Sequence, residues 1–225
     1  MLDLVVSSYT PTLAALVRAR EPGPSGAVAQ LTVTMPTTPD LGSLPAVTDE
    51  VGVLARYFPP GAKKAQLVGP DATRSAVLDA IATHPWVHLA CHAGQHQDDP
   101  TLSGFALWDG PLTIADLAAG SGGYRDLAFL SARQTATGSV RHVDEAIHLA
   151  AAMLFLGYRH VIATMWTIAD SPAPQVADTV YSALITDGTP DPCHTARALH
   201  KAINVLRIQD PTNPILWAPY THLGA

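Results

Sequence analysis

The chain has 225 residues, 48% of them hydrophobic and 14% charged, a composition typical of a folded globular protein and not of a disordered one. Its formal net charge of −6, with 13 scattered Lys and Arg residues, argues against a nucleic-acid-binding surface. Two cysteines form no disulfide framework. Without a signal peptide or an apolar run of about 20 residues, we expect a cytoplasmic protein that does not enter a membrane.

Hydrophobic periodicity and turn residues predict alternating strands and helices. In chain order, the pattern predicts a strand over 2–7, a helix over 11–20, a strand over 27–35, a helix over 46–58, a strand over 65–68, a helix after Asp71, a strand over 86–91, a hairpin over 104–112, a helix over 113–119, a strand over 126–132, a helix over 143–156, a strand over 160–166 and two helices near 174–185 and 193–206. Thr10 and Asp71 are the expected caps of the first and third helices. The alternation is typical of an α/β protein with a mostly parallel sheet flanked by helices, and we expect one domain over 1–225.

Four chemically active side chains lie close together in residues 86–96, WVHLACHAGQH. Cys91, His92 and His96 are residue types that bind zinc, but no second ligand pair of matching spacing follows, so we expect no metal. His92 follows a buried strand and could act as a general base. It could instead be a plain polar residue at a strand end, which this stretch by itself favours, whereas His88 is expected in the core. The residues alone leave these interpretations of His92 open.

A second strand end, DLAFLSARQTATG over 126–138, runs from an apolar segment into a polar turn. In an α/β protein such a junction often carries catalytic groups. The side chain at this position is Arg133, whose guanidinium is always protonated and is no nucleophile. Ser131 has no Gly-x-Ser-x-Gly elbow around it and is expected to be structural.

Taken in order, several motifs resemble the CHAT domain, a caspase-like domain often found beside tetratricopeptide repeats. They are VHLACHAG, LSGFALWDGPLTIADL, LAFLSARQTATG, VDEAIHLAAAMLFLGYRHVIATMWTIAD and WAPYTHLGA, which together span nearly the whole chain. The resemblance implies a caspase-like three-layer α/β fold related to that of caspases, separase and gingipains. It also implies a cysteine–histidine dyad that needs no cofactor.

By motif match, the family histidine falls on His92 and the nucleophile position on Arg133, within Ser-Ala-Arg-Gln-Thr. Ala93 stands where the family usually has glycine, whose backbone N–H helps to stabilise an oxyanion; alanine retains that N–H. Asp170, after the Trp166 motif, resembles an acidic residue that reads a basic substrate side chain. Asp170 could instead cap the next helix, or it could pair with the guanidinium of Arg133.

The resemblance therefore leaves two functions open. The first is an inactive or impaired cysteine-peptidase scaffold that binds a protein or peptide and could be coupled to a tetratricopeptide or other helical-repeat region in the same or another chain. The second is an active cysteine endopeptidase cleaving after a basic residue, which would need either that Arg133 replaces an original cysteine or that Cys91 acts as the nucleophile. A metal-dependent site built on Cys91, His92 and His96 is a distant third.

Overall fold

The computed structural model describes residues 4–21, 23, 29–58, 63–94, 96, 99–120, 124–134, 143–166 and 172–225, with the side chains of these residues except 100, 133–134 and 143–148. The helices in this part of the chain are α1 (Leu13–Ala19), α2 (Val47–Tyr57), α3 (Arg74–Ile81), α4 (Ile114–Ala119), α5 (Val143–Phe155), α6 (Ala173–Leu184), α7 (Thr195–Gln209) and α8 (Pro214–Trp217). The strands are β1 (Gln30–Thr34), β2 (Lys64–Val68), β3 (Trp86–Ala90), β4 (His92–Gly94), β5 (Gly104–Leu107), β6 (Gly110–Thr113), β7 (Leu127–Leu130), β8 (Arg133–Gln134), β9 (His160–Thr164), β10 (Ile185–Thr186), β11 (Thr189–Pro190) and β12 (Tyr220–Gly224). None of the described helices is both long enough and apolar enough to cross a membrane.

Six strands form the central sheet, in the order β12–β9–β7–β3–β1–β2. Neighbouring strands are parallel except β12, which runs antiparallel to β9. Every residue of β1, β3, β7 and β9 is buried, because parallel strands of this kind are covered on both faces. The outermost strand β2 exposes alternate residues instead.

Helices cover both faces of the sheet and give the molecule three layers. On one face, α3, α4 and α5 pack on sheet residues that include Leu31, Val87 and Leu89. On the other face, α2, α6 and α7 pack on Trp86 and other sheet residues. Successive strand side chains alternate between these two cores. The predicted α/β fold class, with a mostly parallel sheet flanked by helices, is confirmed.

A smaller sheet, in the order β6–β5–β4–β8, extends from the carboxyl edge of the central one. The chain passes from β3 into β4 through Cys91, and from β7 into β8 through Ser131 and Ala132. The predicted hairpin is present as β5 and β6, and Gly110 after its turn has a φ of 124°, a conformation that favours glycine. The small sheet thus holds the two strand ends that the sequence marks for function.

The first predicted strand, over 2–7, is wrong in its described part, because residues 4–7 form no strand. The only described pairing near it is one parallel bridge between Tyr9 and Leu223, where the Tyr9 N–H donates to the His222 carbonyl and the Gly224 N–H to the Tyr9 carbonyl, each at 2.9 Å. The edge of β9 is already occupied by β12, a strand that the hydrophobic pattern did not predict. Leu4 is therefore 86% exposed.

Two predicted helix caps are also corrected by the structure. The cap of α1 is Thr12, not Thr10, and the cap of α3 is Thr73, not Asp71. Each threonine hydroxyl accepts a hydrogen bond from the backbone N–H three residues later, which is the geometry of an N-cap. Asp71 instead ends a short 3₁₀ turn, Gly69–Asp71, that comes just before the helix.

Candidate functional site

His92 and Arg133 lie directly opposite each other at the ends of two neighbouring strands. In the central sheet β3 and β7 pair with Leu89 opposite Leu130, and beyond a short gap β4 and β8 pair with His92 opposite Arg133. The register between the two strands is therefore the same on both sides of the gap. The backbone of Arg133 is described, whereas its side chain lies outside the described residues. The two positions singled out by the sequence are adjacent in space.

The imidazole of His92 is held in one orientation by a backbone carbonyl. Its Nε2 lies 2.7 Å from the carbonyl oxygen of Gly42, and only 8% of the residue is exposed. Because a carbonyl oxygen only accepts hydrogen bonds, Nε2 carries the proton and the lone pair of the neutral ring is on Nδ1. Nδ1 has no hydrogen-bond partner among the described residues. The ring is thus oriented with a basic nitrogen that no described residue engages, as a general base requires.

Gly42 belongs to the loop between β1 and α2, which is fixed by its own backbone and by packing. The Leu44 N–H donates to the Pro36 carbonyl at 2.8 Å, and Leu41 N–H to the Thr38 carbonyl at 3.1 Å. The side chains of Leu44 and of Val47 in α2 pack against Ala90 at the end of β3. The acceptor for His92 is therefore held on the strand that delivers His92. Sequence reasoning missed Gly42, since any residue can supply a backbone carbonyl.

A buried polar cluster lies just below the two strand ends. The Glu50 carboxylate of α2 accepts a hydrogen bond from Ser131 at 3.0 Å and lies 2.8 Å from Nε2 of His88. The other ring nitrogen of His88 is 3.3 Å from the Tyr181 hydroxyl. His88 is a core residue and Ser131 makes a structural contact, both as predicted. Glu50 was missed, although a histidine within a fully buried strand needs a polar partner and so indicates that one exists.

Cys91 precedes His92 in sequence but points into the core, because alternate residues of an extended chain face opposite sides. Its side chain is completely buried against Leu89, Ala93 and the helices on that face. Burial, and secondarily the negative charge of Glu50, raises the pKa of the Cys91 thiol to about 12. At neutral pH the thiolate that would attack a carbonyl is therefore almost absent.

Of the remaining predicted site residues, the structure describes Trp166 and Ala93 but not Asp170. Trp166 is half-buried two residues after the end of β9, whereas Asp170 lies outside the described residues. The end of β9 is tied to the strand that carries Arg133, since the Thr164 hydroxyl donates to the Ala132 carbonyl at 3.2 Å. Ala93 is paired with Phe105 on one side and with Gln134 on the other.

The proposed metal ligands do not form a cluster in the described part of the chain. No group of three His, Cys, Asp or Glu side chains there is arranged to hold a metal ion. The Nδ1 atom of His96 accepts a hydrogen bond from the Asp99 N–H, and Cys91 is enclosed by apolar groups. Cys91, His92 and His96 are therefore not assembled as ligands.

A pocket of about 130 Å³ opens beyond β9, on the far side of that strand from β7. Met165, the residue after β9, lies in its wall together with Leu199, His200, Trp217 and Tyr220. Most of its wall belongs to α7, β12 and the segment that contains Ser7 and Tyr9, so the pocket lies at the side of the sheet where β12 is the last strand.

The fold resembles that of solved gingipain structures. The complex of Porphyromonas gingivalis RgpB pro- and mature domains superimposes with a TM-score of 0.56 at 11% identity, covering 88% of this chain and 47% of that one. The crystal structure of the Arg-specific cysteine proteinase gingipain R (RgpB) gives a TM-score of 0.57 at 12% identity, covering 88% and 46%. This chain thus spans about half the length of the solved chains, and identity this low supports a shared fold alone.

The comparison with family models covers nearly the whole sequence. No curated protein matches the chain. The model of the CHAT domain matches residues 3–225, a span that includes both strand ends, the buried cluster and the antiparallel strand β12. The chain therefore belongs to the CHAT domain family.

Proposed function

We propose that this CHAT domain is a cysteine-peptidase scaffold without its nucleophile, and that it acts by binding a protein or peptide. The observation that carries the proposal is the pairing of His92 with Arg133 at the ends of neighbouring strands. His92 has the orientation of a general base, while the residue opposite it is one that cannot be activated by a base.

The chemistry of a cysteine–histidine dyad explains why the substitution matters. A histidine near a cysteine withdraws its proton, and the thiolate then attacks the substrate carbonyl. A guanidinium stays protonated in proteins and has no lone pair available for that attack. Arg133 at the nucleophile position therefore stops the reaction at its first step, although His92 and the N–H of Ala93 would remain in place.

An active peptidase would need a nucleophile elsewhere, and Cys91 is the nearest candidate. Its thiol is enclosed in the core, with its pKa raised to about 12 by burial and then by the Glu50 charge. Exposing it would require β4 to turn over between its partner strands β5 and β8. These properties favour the binding function over the peptidase.

For the ligand we propose a peptide with a basic side chain. One solved structure with this fold is an Arg-specific proteinase, and Asp170 would offer the carboxylate that a basic group requires. Trp166 would form part of the wall. The competing role of Asp170, pairing with Arg133 itself, would close the same site from within. We also propose that a helical-repeat region, in the same chain or in another one, is coupled to this domain.

The proposal is tested by restoring the nucleophile. A fluorogenic peptide panel with Arg or Lys before the scissile bond is incubated with the natural protein, with Arg133→Cys, and with Arg133→Cys/His92→Ala. The same three proteins are treated with a peptidyl-arginine chloromethyl ketone, which alkylates an activated thiol, and mass spectrometry of their proteolytic peptides distinguishes labelling at position 133 from labelling at the exposed Cys193. This second readout does not depend on turnover.

We expect no cleavage and no labelling at position 133 in the natural protein. Arg133→Cys should cleave and be labelled, and both should fall by about 100-fold or more when His92 is also removed, the usual contribution of a positioned base. Cleavage by the natural protein would overturn the inactive assignment. Absence of both cleavage and labelling in Arg133→Cys would overturn the assignment of position 133.

A further inference from the structure

The carboxylate of Glu50 joins three parts of the chain that meet at the candidate site. One oxygen accepts the Ser131 hydroxyl at 3.0 Å, and the other lies 2.8 Å from Nε2 of His88. Glu50 and His88 are fully buried and Ser131 nearly so. Ser131 is two residues before Arg133, and His88 is four residues before His92. Each partner of Glu50 therefore belongs to one of the two strands that deliver the site.

The contact lies at the start of a gap in the backbone pairing between these strands. Direct pairing of β3 with β7 ends at Leu89 and Leu130, and pairing of β4 with β8 resumes at His92 and Arg133. Within the gap, the Ala90 carbonyl accepts from the Met35 N–H, so it points toward β1 and not toward β7. The Ala132 carbonyl likewise accepts from Thr164 of β9. Glu50 supplies the cross-connection that these backbone groups do not make.

The same residue fixes the loop that orients His92. Glu50 lies in the first turn of α2, eight residues after Gly42, and the side chains of Leu44 and Val47 join this helix start to Ala90. If the start of α2 moved, the Gly42 carbonyl that accepts the His92 Nε2–H would move with it. One carboxylate thus anchors both the strand ends and the acceptor.

We propose that Glu50 is a positioning residue of the candidate site: it sets the spacing of His92 and position 133 and holds His92 in its Nε2-protonated form. This inference rests on the proposed role of His92. Burying a carboxylate carries a desolvation cost, and apolar residues of similar volume often stabilise a core as well or better. Its directional hydrogen bonds instead specify one arrangement of the three segments.

The first test measures the His92 tautomer and needs no enzymatic activity. The protein is labelled with ¹⁵N-histidine, the His92 ring signals are assigned with His92→Ala, and long-range ¹H–¹⁵N spectra report which nitrogen carries the proton. The variants are Glu50→Gln, which keeps the shape of the side chain, and Ser131→Ala, which removes one hydrogen bond. Val53→Ala, a truncation in the same helix that removes apolar packing and no hydrogen bond, is the matched control.

We expect His92 to be protonated at Nε2 in the natural protein and in Val53→Ala. In Glu50→Gln and Ser131→Ala, the Nδ1-protonated fraction of His92 should rise by about threefold or more. A small decrease in the free-energy difference between the two tautomers is enough for such a change. His92 signals identical to those of the natural protein in both folded variants would overturn the proposal. A purely structural role for Glu50 would change stability and leave this ring unaltered.

The second test uses the Arg133→Cys background. Adding Glu50→Gln should lower kcat for the cleaved peptide by about 10- to 100-fold with little change in KM, since misplacement by about 1 Å is enough for such a loss. Val53→Ala should leave kcat within about twofold. An unchanged kcat in Glu50→Gln would also count against the proposal. If Arg133→Cys itself is inactive and unlabelled, the proposed function fails, and the tautomer measurement still decides the role of Glu50.

Discussion

Cys91 and His92 are adjacent in sequence yet differ completely in chemical availability. The thiol of Cys91 is enclosed by the core and its pKa is raised to about 12 by burial, while the His92 ring faces the opposite side and its Nδ1 has no partner among the described residues. The difference follows from the alternation of an extended backbone, in which neighbouring side chains enter different layers. A cysteine beside a histidine in sequence is therefore no dyad here.

This difference predicts the behaviour of the two thiols toward a thiol reagent. Of the two cysteines, Cys193 is exposed and Cys91 is buried. In the folded protein at pH 7.5, 5,5′-dithiobis(2-nitrobenzoic acid) should titrate about one thiol rapidly, and a second only after unfolding in guanidinium chloride. Cys193→Ser should leave almost no rapid phase. A rapid phase that persists in Cys193→Ser would show that Cys91 is accessible and would reopen its role as a nucleophile.

The residues of the candidate site differ in how far the sequence could predict them. His92 and Arg133 could be predicted because they fall in motifs at the ends of two apolar strands. Gly42 could not, because its contribution is a carbonyl that every residue has. Glu50 could not, because hydrophobic periodicity identifies only apolar residues of α2, such as Val47 and Leu54, as buried, and a carboxylate between them has no local signal. The buried His88 alone indicated that a polar partner exists.

The short helix α4 shows how a few local hydrogen bonds stabilise an element that is too short to be stable alone. It has six residues and begins after Thr113, whose hydroxyl accepts from the Asp116 N–H at 3.1 Å. In return, Asp116 accepts from the Thr113 N–H at 3.0 Å, which holds the pKa of that carboxyl below its usual value. This reciprocal pair satisfies two backbone groups that the first turn leaves free.

Removing the threonine hydroxyl should therefore weaken the domain measurably. We expect Thr113→Ala to lower the free energy of unfolding by about 1 kcal/mol, the usual cost of losing such a cap. Thr113→Ser, which keeps the hydroxyl, should lie within a few tenths of a kcal/mol of the natural protein. Urea unfolding followed by circular dichroism measures both. Equal losses in the two variants would mean that the methyl group, not the hydrogen bond, matters.

Strands and helices with a strong pattern could be predicted, and the edge strand β12 could not. The central strands are rich in apolar and β-branched residues, and the sequence predicted each of them in the correct order. The segment β12 contains Thr221 and His222, so its pattern is weak, and it is a strand because it pairs with β9. Residues 4–7 have apolar side chains typical of a strand, Leu4, Val5 and Val6, but these side chains are exposed and the described bridge to β12 is at Tyr9.

Two buried histidines connect the first and last parts of the described chain. His160 Nδ1 lies 3.3 Å from His222 Nε2, and His222 Nδ1 lies 2.8 Å from the Ser8 hydroxyl. Burial lowers the pKa of His160 to about 4, with Asp126 and Asp191 raising it and Arg159 lowering it further. Burial, and then the neighbouring His160, lowers the pKa of His222 to about 3. Both rings are neutral in the folded protein at neutral pH.

The stability of the whole domain should therefore fall as the pH drops below about 6.5. Above that value both rings are neutral whether the chain is folded or unfolded, so they contribute no pH dependence. Below it the unfolded chain binds protons that the folded protein resists until about pH 4 and pH 3. Each imidazole then costs about 1.4 kcal/mol of stability per pH unit. Urea unfolding at pH 7.5, 6 and 5 measures the slope.

The variant His222→Gln separates the contribution of these rings to the pH dependence of stability from that of the other titrating groups. It keeps a polar partner for Ser8 and cannot be protonated, so the slope between pH 6.5 and 5 should decrease by roughly 1 kcal/mol per pH unit. The control is His194→Gln, since the side chain of His194 is 55% exposed, and its slope should match that of the natural protein. A slope that is the same in His222→Gln and in the natural protein would be inconsistent with buried neutral rings.

The bridge between Tyr9 and Leu223 has a consequence for how this domain can be joined to others. Because the two segments are hydrogen-bonded neighbours, Tyr9 and Leu223 lie within about one strand spacing of each other, roughly 5 Å. A segment joined just before Tyr9 and a segment joined just after Gly224 would therefore begin close together, at the outer edge of β12. The domain could be inserted into a surface loop of a host protein without forcing the two ends of that loop apart.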